Sequence, residues 1–109
     1  MVIRRIDPEA EMDRAWRAYR ENDSQQAEAI IHRVLARNRK NADALDLLGL
    51  VELSQSQLSD AHRHIRQALG LRMDKYGPEH LKVAQSLHHL SELYGWKDAA
   101  AAERGFKES

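Results

Sequence analysis

The chain has 109 residues, a length that fits one domain. It carries 17 Lys and Arg residues against 17 Asp and Glu residues, so its formal net charge is zero and the concentrated basic face of a nucleic-acid or anionic-membrane binder is not expected. The absence of cysteine excludes disulfides and thiolate metal sites. No apolar run approaches the ~18–20 residues of a membrane span, and the N-terminal segment lacks the apolar core of a secretory signal. We therefore expect a cytoplasmic protein.

The first half of the chain predicts two helices joined by a short polar break. Only two prolines and five glycines occur in the whole sequence, which favours an all-helical chain. Asp7-Pro8-Glu9 is typical of a helix start, and this helix should run to about Glu21. Asn22-Asp23-Ser24 then breaks it, with Asp23 or Ser24 capping a second helix that ends at Arg39-Lys40-Asn41.

The segment from Asn41 to Met73 predicts a helical hairpin. Its apolar residues recur at helical spacing on both sides of Ser54-Gln55-Ser56-Gln57, a break too polar for a buried turn and too short for a linker. We expect two helices joined by a tight turn, the second extending to about Lys75. Such a hairpin cannot bury both of its apolar faces alone, so it requires neighbouring helices.

The C-terminal third predicts two more helices. Tyr76-Gly77-Pro78 ends one helix and starts the next, because glycine suits the end of a helix and proline its first turn. A fifth helix should run from Glu79 to Tyr94, followed by a turn at Gly95-Trp96-Lys97-Asp98. A short sixth helix should then run from Ala99 to about Lys107.

Similar residues recur at an offset of 34 positions, as in the pairs Ala27 with Ala61 and Ile31 with Ile65. A repeat of this length is typical of stacked helix pairs. The central unit resembles the tetratricopeptide repeat (TPR) family in its large and small apolar residues: Leu45, Leu48, Gly49, Ala61, Ile65 and Ala68. It departs from the family at Glu52, Ser56 and Met73.

The two flanking units are less regular. The first keeps the small residues of the motif but has Glu11 and Arg14 at positions that are normally apolar. The third is similar to the kinesin-light-chain-type variant, beginning with Tyr76-Gly77-Pro78-Glu79-His80. We predict a single domain with repeats at about 8–41, 42–77 and 78–109.

The resemblance implies an all-α, right-handed stack of about three antiparallel helix hairpins, without catalytic residues. The first helices of the pairs would line a concave, apolar groove that binds a peptide or a helical segment of a partner protein. We expect aromatic and aliphatic anchors and a polar rim to form this partner-binding site: Trp16, Tyr19, Asp46, Leu50, Leu53, His88 and Glu92. The apolar anchors would then be exposed, as interface residues are.

Two alternatives concern the apolar residues near the ends. The first helix could be rotated by one position, which would place Met12, Ala15, Trp16 and Tyr19 in the core and turn Glu11 and Arg14 to solvent. N-terminal apolar residues (Val2, Ile3 and Ile6) could also cover the groove. Trp96 and Phe106 fit end-capping residues better than ligand contacts.

Other chemistry is poorly supported by the sequence. The six histidines lack the i, i+4 spacing of a zinc pair on one helix, so we predict no metal site and no cofactor. No nucleophile elbow or Gly-rich phosphate loop occurs, so we predict no enzyme activity. The family's carboxylate-binding clamp is also not expected, since its positions hold no basic side chain: Met12, Trp16, Leu47, Gln85 and His89.

Two further functional hypotheses remain open. The exposed ends of the stack and its apolar patch could be covered by another copy, which would make the protein a homo-oligomer. The chain could instead be a regulatory appendage of a larger enzyme.

Overall fold

In the computed structural model of the protein, the backbone is described for residues 7–108 and the side chains for residues 7–95. The described backbone is all-α, with five helices and no strand. The helices are α1 (Pro8–Arg20), α2 (Ser24–Arg37), α3 (Ala42–Ser54), α4 (Leu58–Tyr76) and α5 (Leu81–Glu108).

Local side-chain caps explain where the first three helices begin. Asp7 accepts a hydrogen bond from the backbone N–H of Glu9, and Pro8 occupies the first turn of α1. Asp23 caps α2 and Asn41 caps α3 in the same way. The predicted starts of α1 and α2 are confirmed, whereas α2 ends at Arg37 and Asn41, predicted at its end, caps α3 instead.

The two turns that join α1 to α2 and α3 to α4 share one backbone geometry. Asn22 and Ser56, which lie 34 residues apart, both have a left-handed φ of 62°. The hydrogen bonds around them repeat as well: the N–H of Asp23 donates to the carbonyl of Ala18, and the N–H of Gln57 donates to that of Glu52, both at 2.8 Å. The 34-residue period of the sequence is therefore present in the backbone.

Helix α3 lies at the centre of the packing, in contact with α1, α2, α4 and α5. All ten residues from Ala44 to Leu53 are buried, as expected for a helix that is covered on every side. Gly49 permits the close approach of α4: a methyl group at this position would overlap Ile65 and lie 3.2 Å from the carbonyl oxygen of Ala61.

The C-terminal part differs from the prediction, because α5 continues through Gly95 to Glu108. The predicted turn at 95–98 and the separate sixth helix are wrong, and the unit 78–109 contains one long helix instead of a hairpin. A single glycine costs a helix only about 1 kcal/mol, and this segment has no proline to stop it. The suggested roles of Trp96 and Phe106, and of Val2, Ile3 and Ile6, fall outside the described side chains.

Candidate functional site

Three of the predicted groove residues are buried. Asp46, Leu50 and Leu53 on α3 are only 1%, 4% and 6% exposed. The expectation that the two leucines form an exposed apolar floor is therefore wrong. Their role in partner binding stays a prediction, and it cannot be direct contact unless the covering side chains move.

Side chains from α1 and α5 cover this part of α3. Trp16 and Tyr19 of α1 pack against the core cluster that contains Leu50, and Leu93 of α5 packs in a cluster with Leu53. The rings of Trp16 and His89 approach to 6.5 Å between centroids, so α1 and α5 meet through their side chains. The predicted groove is filled here by the protein itself.

Helix α1 is rotated largely as the alternative reading predicted. Met12 and Ala15 are buried in the core, while Trp16 and Tyr19 are partly buried, with their rings edge to face at 6.0 Å. Glu11, however, does not face solvent.

Glu11 is paired with two arginines at the first helix pair. Its carboxylate accepts hydrogen bonds from Arg14 at 2.8 Å and from Arg33 of α2 at 3.3 Å. These bonds make an acidic residue acceptable at a position that is normally apolar, because a buried charge is stabilised only when it is paired.

A buried polar network joins α3, α4 and α5 around the guanidinium group of Arg72, which is 3% exposed. Its Nη1 atom donates to Asp46 Oδ2 at 3.1 Å, to Ser86 Oγ at 2.8 Å and to the carbonyl oxygen of Lys82 at 3.2 Å. The hydroxyl of Ser86 donates in turn to Asp46 Oδ1 at 3.2 Å. These bonds fix how α5 packs on the α3–α4 hairpin.

Asp43 extends this network to the surface. Its carboxylate lies 2.6 Å from Arg72 Nη2 and 3.3 Å from Lys82 Nζ. Burial alone would raise the pKa of Asp43, but Arg72 and Lys82 outweigh it and hold the pKa below its ordinary value. The network therefore favours the ionised form of Asp43.

His89 completes the surroundings of Asp46. Its Nδ1 atom lies 2.6 Å from Asp46 Oδ2, but this contact lacks the alignment of a hydrogen bond. Among the side chains of residues 7–95, the Nε atom of Arg72 also finds no hydrogen-bond partner. Asp46 thus contacts Arg72, Ser86 and His89, and its position is explained by packing between helices.

His88 and Glu92, the two rim residues predicted on α5, are exposed and lie on one side of the helix. Their side chains pair at 3.2 Å. Glu92 also affects Tyr19 across the groove: burial first, and the negative charge of Glu92 second, raise the pKa of the tyrosine. Glu92 therefore lies close enough to Tyr19 for its charge to act on the phenol, and the role of both residues in partner binding stays a prediction.

Glu52, where the TPR motif prefers tyrosine, forms a second buried polar contact between α3 and α4. Its Oε1 atom lies 2.6 Å from Nδ1 of His64. Burial raises the pKa of Glu52, and the opposing effect of His64 does not cancel the rise. This pair links the two helices on a side of α3 away from the predicted site.

An open cleft remains between the first turns of α1 and α5, with a volume of about 370 Å³. Trp16 and Met12 supply its apolar surface. Charged and polar side chains supply the rest: Glu9, Asp13, Asp43, Arg72, Lys82 and Gln85. Unlike Asp43, Glu9 and Asp13 form no side-chain pair with any residue between 7 and 95.

The prediction missed Arg72 and Ser86 of the buried polar network, although the sequence contained signals for both. Arg72 continues the core stripe of Ala61, Ile65 and Ala68 at the next helical position, and Ser86 lies between buried Val83 and Leu90. A polar residue at a core position predicts a buried hydrogen bond. Which partner it finds is determined only by the packing of the helices.

Two wider features of the described residues bear on function. No group of three or more His, Asp or Glu side chains within the described part of the chain could hold a metal ion. No helix in that part is both long and apolar enough to cross a membrane. The prediction of no enzyme activity is untested by these observations.

Comparison with known proteins gives one partial likeness. The chain is 35% identical over 69 residues to nephrocystin-3 of Homo sapiens. The match covers 62% of this chain and only 5% of that protein. No family model and no solved structure matches the chain.

Proposed function

We propose that this chain is a protein-interaction module, a TPR-like stack of helix pairs that binds a segment of a partner protein. The repeated turns at Asn22 and Ser56 support the stack, since the same φ and the same hydrogen bonds recur after 34 residues. The segment similar to nephrocystin-3 has 69 residues, about two such units.

The cleft between α1 and α5 is the observation that carries the proposed binding site. The predicted groove is filled along α3, but it stays open at this cleft. The partly buried ring of Trp16 lies beside the opening. The partner segment would extend from this cleft along the exposed rim formed by His88 and Glu92. Leu50 and Leu53 would support the site from beneath as part of the core.

The charges of the cleft favour a segment that contains lysine or arginine. Glu9 and Asp13 lie one helical turn apart and are unpaired among the described residues. A guanidinium or ammonium group placed here would contact both carboxylates and the face of Trp16, which attracts cations. The rim residues His88 and Glu92 would affect the orientation and the association rate of the partner segment more than its affinity.

A peptide array tests this proposal directly. Fluorescently labelled protein is applied to segments of about 15 residues that carry basic, neutral or acidic side chains between apolar ones. We expect the basic segments to bind best and Asp13→Lys to weaken their binding about tenfold or more. Asp74→Lys, an exposed charge reversal on α4 that does not line the cleft, should leave binding unchanged.

Equal binding by the Asp13→Lys and Asp74→Lys variants would disprove the cleft as the site. Failure of every segment class to bind would disprove peptide recognition altogether. Helical circular dichroism of each variant shows whether the fold is intact.

We propose homo-oligomerisation as a second candidate function, because the large exposed apolar side chains of the described residues all belong to α4 and α5: Met73, Tyr76, Leu81, Leu87 and Tyr94.

A further inference from the structure

A second cleft adjoins the cleft beside Trp16, at the edge of the molecule where α3 begins and α4 ends. It has a volume of about 510 Å³, and three lysines line it: Lys40, Lys75 and Lys82. We call it the lysine cleft. The two clefts share part of their lining, including Asp43 and Lys82, so a segment bound in one can reach the other.

The lysine cleft and the cleft beside Trp16 have opposite charge balances. The lining of the lysine cleft carries four basic and two acidic side chains, which leaves two positive charges: Lys40, Arg72, Lys75 and Lys82 against Glu9 and Asp43. The lining of the cleft beside Trp16 carries three acidic and two basic side chains, which leaves one negative charge. The sign of the charge therefore changes from one cleft to the next.

Two of the four cations of the lysine cleft are already paired within the protein. Arg72 and Lys82 both bond to the carboxylate of Asp43. Lys40 and Lys75, in contrast, form no ion pair with any side chain between residues 7 and 95. Within the part of the chain that the structure describes, these two ammonium groups are the charges that an external anion can neutralise.

Lys40 lies where the helices themselves do not favour a cation. It comes after the end of α2 at Arg37 and directly precedes Asn41, the N-cap of α3. The N-terminal end of a helix carries partial positive charge, which disfavours a lysine beside it. An anion in the lysine cleft would offset this repulsion.

We propose that the lysine cleft binds a carboxylate of the partner segment, from an aspartate or a glutamate, while a basic residue of the same segment lies beside Trp16. The inference rests on the proposed function and adds a second specificity position to it. A carboxylate fits better than a phosphate, because the arginine fork that phosphate favours is occupied at Arg72 by Asp43 and Asp46. Two adjoining clefts of these volumes have centres ~10 Å apart, which an extended segment spans in about three residues.

Matched peptides measure the contribution of this carboxylate. Each peptide carries one arginine between apolar residues, with either glutamate or glutamine three positions before or after it. Binding of the labelled peptides to the whole chain is followed by fluorescence anisotropy. In at least one of the two orders, we expect the glutamate peptide to bind about fivefold more tightly than its glutamine counterpart. This gain should shrink at high salt, because salt screens ion pairs near the surface.

Two double variants connect the gain to the lysine cleft. Lys40→Gln combined with Lys75→Gln should make the glutamate and glutamine peptides bind equally. Arg39→Gln combined with Arg66→Gln is the matched control, because it removes the same charge from residues that line neither cleft, and it should preserve the gain. All four side chains are exposed, so both variants should fold.

The outcomes separate this inference from the proposed function. If the arginine peptides bind but glutamate gives no gain, or if the gain survives in the lysine double variant, the lysine cleft does not bind the carboxylate, and the proposed function stands. Failure of every peptide to bind would overturn the proposed function and this inference with it.

Discussion

Arg72 of α4 and Asp46 of α3 form an ion pair in the interior, with 3.1 Å between Nη1 and Oδ2 and side chains 3% and 1% exposed. The pair lies where α3, α4 and α5 meet, and Ser86 of α5 bonds to both residues. Two buried charges are costly to desolvate, so this contact is expected to specify the packing of α5 more than to add stability.

Removing the positive charge of Arg72 while Asp46 remains should strongly destabilise the fold. We expect Arg72→Met to lower the free energy of unfolding by about 3–5 kcal/mol, because Asp46 is then a buried charge without its main partner. Urea denaturation followed by circular dichroism measures the change. Arg63→Met on the same helix removes an exposed pair with Asp60 and should cost about 0–1 kcal/mol.

The double variant Arg72→Met with Asp46→Leu should be more stable than Arg72→Met alone, since no uncompensated charge remains. A loss below about 1 kcal/mol for Arg72→Met would contradict the structural role assigned to the pair.

Gly49 should not tolerate a methyl group. Alanine ordinarily stabilises a helix by about 1 kcal/mol relative to glycine, but at this position the added carbon would overlap Ile65 of α4. We expect Gly49→Ala to destabilise the protein by about 1–3 kcal/mol. The matched control is Gly70→Ala on α4, where nothing lies within 4 Å and stability should rise. Stabilisation by both substitutions, measured by urea denaturation, would show that α3 and α4 are farther apart.

Replacing Ser56 with glycine should raise the thermal stability of the protein. Its φ of 62° lies in the left-handed region, which costs a residue with a β-carbon about 1–2 kcal/mol. Glycine has no such cost, so we expect Ser56→Gly to raise the midpoint of thermal unfolding. Ser59→Gly, three residues later in the first turn of α4, should lower it, since glycine weakens a helix. A lower midpoint for Ser56→Gly would contradict the turn geometry.

Tyr19 should ionise at a higher pH than a free tyrosine, because burial and the charge of Glu92 both raise its pKa above 10.0. The folded state then holds this proton more tightly than the unfolded state, so stability should fall as pH rises above 10.0. Near-ultraviolet absorbance of the phenolate, in a Tyr76→Phe and Tyr94→Phe background, isolates this group.

In that background, Glu92→Gln should lower the pKa of Tyr19 without restoring the ordinary value, because burial remains. Asp74→Asn on α4 is the control and should not change it. No difference between these two variants would show that Tyr19 and Glu92 do not face each other across the groove.

The sequence by itself determined the approximate extents of the first four helices, the cap at Asp7, the choice of Asp23 or Ser24 as the next cap, and the 34-residue period. These features depend on neighbouring residues along the chain, namely cap hydrogen bonds and apolar spacing, which a sequence displays directly. The turn predicted at Gly95 failed because one glycine is a weak signal and no proline supports it.

Only the tertiary structure decided which face of each helix is covered. The spacing of Leu50 and Leu53 on α3 is the same whether that face is a binding groove or a buried core. The difference arises from Trp16 on α1 and from Leu93 on α5, which reach this face from distant parts of the chain. The pairing of Arg72 with Asp46 has the same origin. Contacts between separate helices depend on how those helices are rotated and packed, and the period of a single helix does not fix either quantity.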